Sequence, residues 1–262
     1  RRALSLGASD FLSKPADPVE VLLRTNNLLR AYRLRNHLND LVERATADVE
    51  QARLETLACL ATAAEYRDDQ SGRHTQRVGH TAGLIAQQIG LASESVELIR
   101  SAAPLHDIGK LGISDSILLK PGSLTDRELA MMRTHAEIGA QILASGRSPV
   151  LRLAREIALS HHERWDGNGY PHGLAGETIP IEARITAIAD VFDALTHARP
   201  YKPAWPLQQA VEELKSERAK HFDPDVVDAF MTLEHESLVE PEETVLAPGL
   251  AAAGDPAERA AA

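Results

Sequence analysis

The chain is short of several things, and each shortage excludes something. One cysteine, Cys59, stands among 262 residues, so no intrachain disulfide framework can form and the composition suits a reducing cytoplasm. Cys59 falls in an apolar helical run, where a packing role is expected. Signal-peptide character and long apolar spans are lacking, which argues against a membrane anchor. Positive charge is also short: 28 basic against 38 acidic residues give a net charge of −10. Bulk nucleic acid, which needs a dense basic surface, is therefore not an expected partner. A small anionic ligand still fits if positive charge is concentrated locally. No stretch alternates apolar and polar residues with period two for long enough to build a sheet. The 44% hydrophobic content can nonetheless supply a sizeable core, so the expected class is all-α.

The chain opens without a methionine. Asp10 to Leu12, the Lys14-Pro15 step and the pattern Val19, Leu22, Leu23 read as a short strand, an X-Pro turn and an amphipathic helix. Over residues 1–31 this resembles the C-terminal end of a response-regulator receiver domain, whose phosphoacceptor aspartate would lie upstream. From Tyr32 to about Asp68 neither Gly nor Pro intervenes, and Leu38, Leu41, Ala45, Val49, Ala52 and Thr56 recur at three- and four-residue steps. That spacing fits a helical linker or a parallel coiled-coil homodimer, and equally a helix lying on its own domain. The reading gives a linker at 32–54, a catalytic domain at 55–238 and a mobile tail at 239–262, poor in large apolar groups.

Punctuation between helices is clear. Ser93 can cap a helix running into His106, and Thr125 with Glu128 forms a capping box before a helix carrying His135. Ser148-Pro149 starts a helix ending at His161-His162. Pro180 opens the helix bearing Asp190, and Asp223-Pro224 opens a final one.

These helices carry an ordered series of candidate metal ligands: His74, His106, Asp107, His135, His161, His162 and Asp190. A single catalytic ion keeps three or so protein ligands and an open position, so five imidazoles and two carboxylates point to two ions. A pair about 3.5 to 4 Å apart can clamp a phosphate for in-line attack. Individually the residues have bland readings: an isolated His-Asp pair is usually a cap or a salt bridge. An acid inside the apolar run Ile188, Ala189, Val191, Phe192 is costly unless paired or metal-bound.

Taken together, His74 within Ser-Gly-Arg-His-Thr-Gln-Arg-Val, the run His106 to Lys110, His135, the run His161 to Pro171, Ile185 to Asp190, and Ala198-Arg199-Pro200-Tyr201-Lys202 resemble the HD-GYP family. This is a branch of the HD superfamily of metal-dependent phosphohydrolases, built as a helical bundle, and the resemblance spans about residues 55 to 235. It implies one ion on His74, His106, Asp107 and Asp190, and a second on His135, His161 and His162, with Asp107 bridging. Imidazole and carboxylate ligation without thiolate suits iron or manganese. Some family members hold a third ion with a glutamate four residues before the first histidine. Gln70 stands at that place, so two ions are expected, although Asp68 or Asp69 could compensate.

The resemblance further implies that Asp107, His106 and Lys110 serve catalysis, with Lys110 neutralising charge on phosphate, and that Arg199 and Lys202 hold substrate phosphate. In an arbitrary protein those two would be a solvated basic loop. Tyr170 and Pro171 lie in a loop whose Asp166-Gly167 and Asn168-Gly169 steps permit close backbone approach. Tyr170 either stacks on a guanine or contacts phosphate, or simply packs the loop.

The implied activity is hydrolysis of cyclic di-GMP to pGpG or GMP, with an upstream receiver domain and its histidine kinase as input. Two rivals stand beside it. One is a non-catalytic cyclic di-GMP sensor, or a module docking on diguanylate cyclase (GGDEF) domains. The other is a different HD-superfamily nucleotide phosphohydrolase, which would lack the Gly-Tyr-Pro loop and the Arg-Pro-Tyr-Lys segment.

Overall fold

The computed structural model describes residues 14–67, 73–198 and 203–239. Among them all regular structure is helical apart from one isolated bridge between Arg218 and Phe222. The chain divides at Thr56/Leu57 into two units, and the first helix, α1 (Pro18–Glu65), crosses that division. Asp17 starts α1 by accepting the Val19 amide at 2.9 Å, with Pro18 in the first helical position, where its missing N–H costs nothing. Neither Gly nor Pro follows before Glu65. The receiver-like helix expected near Val19 and the linker helix expected from Tyr32 are therefore one element. In the first unit its Leu34, Leu38, Leu41 and Val49 are exposed.

The second unit adds α2 (His74–Ile89), α3 (Ser93–Ala102), 3₁₀ turns at Ala103–Leu105 and Ile108–Gly112, α4 (Asp115–Leu118), α5 (Asp126–Arg133), α6 (His135–Leu143) and α7 (Pro149–Ser160). A third 3₁₀ turn at Gly176–Thr178 precedes α8 (Ile181–Thr196), α9 (Leu207–Ser216), α10 (Pro224–Phe230) and α11 (His235–Val239). Helix α8 is apolar around most of its circumference, as a central helix must be: Ala183, Ile185, Ala187, Ile188, Ala189, Phe192 and Leu195 are all buried. It packs on α2, α7, α9 and α10, while α2 also packs on α3 and α6 on α7. Phe192 meets Phe230 edge to face at 5.1 Å. Side chains of this kind each contribute roughly 1.5–3 kcal/mol when fully buried.

Several helix starts fall where the punctuation puts them. Thr125 and Glu128 make the reciprocal capping box, Ser148 accepts the Leu151 amide, and Asp223 accepts the Asp225 amide. Others differ. Ser93 is the first helical residue rather than the cap, and Ala92 precedes it without a side-chain bond. Helix α3 stops at Ala102, because Pro104 has no N–H with which to continue it. A break at Thr134 separates α5 from α6, and α11 follows the helix expected to be last. Cys59 is exposed, contrary to the packing role expected of it. It continues the three- and four-residue stripe of α1 three positions beyond Thr56, on a side that its own chain does not cover. The strand expected at Asp10 to Leu12 and the tail from residue 240 lie outside the described residues.

Gly109 marks the tightest approach near the candidate ligands. A Cβ there would come 1.8 Å from the His135 carbonyl oxygen and 2.5 Å from the Gly139 nitrogen, so the turn after Asp107 lies directly against α6. Overpacking of this kind costs about 3 kcal/mol or more where backbone cannot yield, so G109A is expected to lower the melting temperature by roughly 5 °C or more. Thermal denaturation followed by circular dichroism checks this, and an unchanged midpoint would show that the turn can move away from α6.

Candidate metal centre

Adjacent residues in an α-helix point about 100° apart, so neighbouring ligands can share a pocket only where a helix ends. The chain supplies such ends repeatedly. His106 and Asp107 sit between the two 3₁₀ turns, with Asp107 at φ −99, ψ 10, in the sparsely populated bridge region. His161 caps the C-terminal end of α7 and His162 follows it, His135 is the first residue of α6 and His74 the first of α2. Asp190 comes from the middle of α8.

The seven side chains meet in two groups that share Asp107. In one, His74, His106 and Asp107 present donor atoms within 4.8 Å of one another, and Asp190 joins them, with Oδ1 3.4 Å from His74 Nε2 and 3.8 Å from His106 Nε2. In the other, Asp107, His135, His161 and His162 converge within the same limit. Here Asp107 Oδ1 lies 3.2 Å from His135 Nε2 and 3.7 Å from His161 Nε2, and His162 Nε2 lies 3.1 Å from His135 Nε2. Lys110 Nζ sits 2.7 Å from Asp107 Oδ2.

The far side of each ring decides what the near side can do. His106 Nδ1 faces the Ala103 carbonyl at 2.9 Å, His135 Nδ1 the Met132 carbonyl at 2.8 Å, and His161 Nδ1 the carbonyls of Ile157 and Ala158 at 3.1 Å. A carbonyl can only accept, so the proton of each neutral ring is on Nδ1 and the Nε2 lone pair points into the pocket. His74 Nδ1 lies 2.7 Å from Asp193 Oδ2, and Arg77 braces that carboxylate through Nε and Nη2. Inside, His106 Nε2, His161 Nε2 and Asp107 Oδ1 are buried without a hydrogen-bond partner. Three bare acceptors in one buried pocket are costly in a low-dielectric interior, and a divalent cation is the group that satisfies imidazole nitrogen and carboxylate oxygen together. The donor set therefore fits a metal ion.

Electrostatics agree. Burial alone would disfavour a charge on His74, yet hydrogen bonds to Asp190 and Asp193 raise its pKa to about 10, so a proton stands where positive charge is wanted. Burial likewise opposes ionisation of Asp107 and Asp190, and their neighbours overcome it: the Lys110 cation above all holds Asp107 well below its usual range, while the hydrogen bond from His74 holds Asp190 low. His162 goes the other way. Burial and then the neighbouring His161 push it down, which keeps its ring neutral and able to donate a lone pair.

One wall of the pocket is the loop after His162. Tyr170 stacks on the His162 ring at 4.7 Å and 27°, and the Arg133 guanidinium lies over the outer face of Tyr170 at 5.0 Å. Gly169 is required by contact: a Cβ would come 2.4 Å from the Arg164 nitrogen and 2.6 Å from the His162 oxygen. Buried Glu163 holds the loop by accepting the His172 amide at 2.8 Å and the Leu174 amide at 3.0 Å. The base of the loop rests on residues 220 and 221, whose carbonyls accept the Asp166 and Trp165 amides.

Thus His74, His106, Asp107, Lys110, His135, His161, His162 and Asp190 come together, Tyr170 packs against His162, and Pro171 continues the same loop. Arg199, Lys202 and Gln70, with Asp68 and Asp69, lie outside the described residues. Asp193, Arg77, Glu163 and Arg133 were not anticipated. A usable signal existed for the first two, since Arg77 follows His74, and Asp193 follows Asp190, by three residues, the spacing that puts two side chains on one helix face.

Comparison with known proteins bears on this pocket. A family model described as HD domain matches residues 58–226. The chain is 47% identical over 239 residues to a cyclic di-GMP phosphodiesterase response regulator, RpfG, of Xanthomonas campestris, covering 87% of this chain and 62% of that protein. It is 43% identical over 250 residues to a cyclic di-GMP phosphodiesterase of Thermotoga maritima, covering 90% of this chain and 68% of that one. The chain thus spans about two thirds of the length of these relatives. A crystal structure of a cyclic GMP-AMP-specific phosphodiesterase from Vibrio cholerae shares the fold with a TM-score of 0.52 at 22% identity, over 68% of this chain and 48% of that one.

The loop base also carries a titration. His221 stacks on Phe222 at 4.1 Å, and burial, followed by the charge of Arg164, lowers its pKa to about 4. Between that value and the ordinary one near 6.5 the unfolded chain binds a proton that the folded chain refuses. The stability contributed by the neutral ring is complete above about pH 6.5 and is lost as pH falls toward 4. In denaturant titrations at a series of pH values, H221Q is expected to lose stability less steeply than the parent across that window, and parallel curves would count against the assignment.

Proposed function

The chain belongs to the HD domain family, and on that premise we propose that it is a metal-dependent phosphodiesterase of the HD-GYP branch that hydrolyses cyclic di-GMP. The observation that carries this is the pair of donor groups sharing Asp107, with His106 Nε2, His161 Nε2 and Asp107 Oδ1 all lacking partners. We assign one ion to His74, His106, Asp107 and Asp190, and a second to His135, His161 and His162 with Asp107 between them. Nitrogen and oxygen donors without thiolate favour iron or manganese. Two ions rather than three is the reading that Gln70 supports. When bound, such ions lower the pKa of water toward neutrality and absorb negative charge on a phosphodiester.

The chain's own residues divide the remaining work. Lys110, held 2.7 Å from Asp107, offers a cation to phosphate as charge develops toward the leaving ribose oxygen. His106 keeps its Nε2 directed into the pocket. Tyr170, whose ring faces are taken by His162 and Arg133, lines one wall of the pocket and would contact a substrate phosphate. Pro171 shapes that wall, and Arg199 with Lys202 would hold the second phosphate. A bimetallic pocket favours the linear dinucleotide pGpG over GMP.

We further infer that residues 1–31 are the end of a receiver domain controlled by an upstream histidine kinase, that 32–54 are a helical linker, that 55–238 are the catalytic domain and that 239–262 are a tail. The exposed stripe Leu38, Leu41, Val49 on α1 supports a parallel homodimer. The lone thiol supports a cytoplasmic setting, and docking on diguanylate cyclase domains stays compatible with the exposed loop. The full set of ligands argues against a sensor without turnover.

Two outcomes check these readings. After anaerobic purification and elemental analysis, chromatography of nucleotide products should show cyclic di-GMP consumed by the parent and turnover reduced on the order of 10³-fold or more in D107N. Undiminished turnover in D107N refutes the assignment, while tight binding without cleavage by the metal-loaded parent identifies the sensor. Preference for 3′3′-cyclic GMP-AMP under the same conditions would change the substrate. Separately, a thiol oxidant should convert the parent into a disulfide-linked dimer through Cys59 and leave C59S uncrosslinked. A parent that stays monomeric under oxidation and in light scattering overturns the parallel dimer.

A further inference from the structure

Glu65 is the last residue of α1 and is buried, with 6% of its surface exposed. Its partners lie at the start of the next helix: Oε1 accepts the backbone N–H of His74 at 3.0 Å, and Oε2 accepts both the N–H and the hydroxyl of Thr75, at 3.2 and 2.9 Å. The first amides of a helix lack intrahelical acceptors, and Arg73 at the cap position offers no side-chain bond. The cap of α2 is thus supplied from outside, by the helix before it, and it grips the backbone of a ligand residue. Two residues further on, Arg67 donates to the Lys110 carbonyl at 2.8 Å and the Ile113 carbonyl at 3.0 Å, and to Asp115 Oδ1 at 2.6 Å. Those carbonyls belong to the turn that follows Asp107.

We propose that Glu65 and Arg67 are positioning residues of the metal centre: Glu65 sets the place of His74, and Arg67 sets the turn that carries Asp107 and Lys110. The proposal rests on the metal-centre reading above. A buried carboxylate that loses its donors is strongly penalised. The end of α1 therefore cannot shift without either breaking these bonds or carrying His74 with it. Glu65 touches one donor group only, so its removal should weaken one ion selectively. Arg67 braces the turn bearing the shared carboxylate, so its removal should weaken both.

Equilibrium dialysis against Mn²⁺ alone, with elemental analysis and circular dichroism on the whole chain, tests this. The parent is expected to bind two Mn²⁺. In E65Q one ion should bind 10- to 100-fold more weakly, the range for groups that orient a ligand, and the other should be unchanged; in R67Q both should weaken. T75V keeps the backbone bonds and the side-chain volume while removing the hydroxyl bond, and it should weaken the same single ion several-fold. Should E65Q fail to fold, T75V decides alone. Parental affinities in the folded variants, or equal weakening of both ions in E65Q or T75V, overturn the proposal, because a cap serving stability alone has no preference between ions. A parent that binds no Mn²⁺ overturns it as well. A parent that binds two ions but leaves cyclic di-GMP intact sinks the proposed activity and leaves the positioning roles standing.

Discussion

Everything in the second unit is arranged around a concentration of lone pairs in a place with little water. His106 Nε2, His161 Nε2 and Asp107 Oδ1 are buried and unpartnered, and more nitrogen and carboxylate oxygen lies within a few ångströms. Left alone such a cluster repels itself, and a fold would discard it. It persists because the remaining polar atoms are tied down. Ring protons are spent on the carbonyls of Ala103, Met132, Ile157 and Ala158, Asp193 is held between His74 and Arg77, and Lys110 lies on Asp107. The pocket is short of positive charge by design of its surroundings, and the raised pKa of His74 reports that shortage.

The same economy of placement explains why the helices are interrupted so often. Pro104 ends α3 and forces the 3₁₀ turns on which His106 and Asp107 face one way. The break at Thr134 lets His135 start a new direction, and α7 ends at Ser160 so that His161 and His162 project together. Gly109 and Gly169 then allow backbone to close on backbone where a methyl group would not fit. Each irregularity sacrifices helical hydrogen bonding locally and in return directs a donor that a continuous helix would have turned away.

Much of this was legible from the chain alone. The helical class followed from the absence of alternating runs, and the caps at Thr125, Ser148 and Asp223 could be read from local chemistry because their partners are only two or three residues away. The candidate ligands could be named because six residues of metal-binding type fall beside helix punctuation and Asp190 is an acid inside an apolar helical run. What escaped was long-range or geometric. Nothing local ties Glu65 to His74, Arg67 to Lys110 or Glu163 to the amides of His172 and Leu174, since these bonds depend on how the chain turns between them. The break at Ala102 has a local cause in Pro104 that the reading of a helix running into His106 passed over, and the break at Thr134 has none, because propensity carries that helix onward. Cys59 was misjudged for the opposite reason: an apolar neighbourhood in sequence does not reveal which side of a long helix meets its own domain.

The order of the ligands along the chain has a consequence of its own. His74 and Asp190 share a donor group although more than a hundred residues separate them, and α8 leaves the ribosome after every other element that contributes to the pocket. Contacts of such high sequence separation form late in folding, and domains emerge from their N-terminal end first. Until α8 emerges, a growing chain holds His74, His106 and Asp107 without the carboxylate that joins them in the folded protein. The donor group is assembled only when α8 docks and Asp190 joins it.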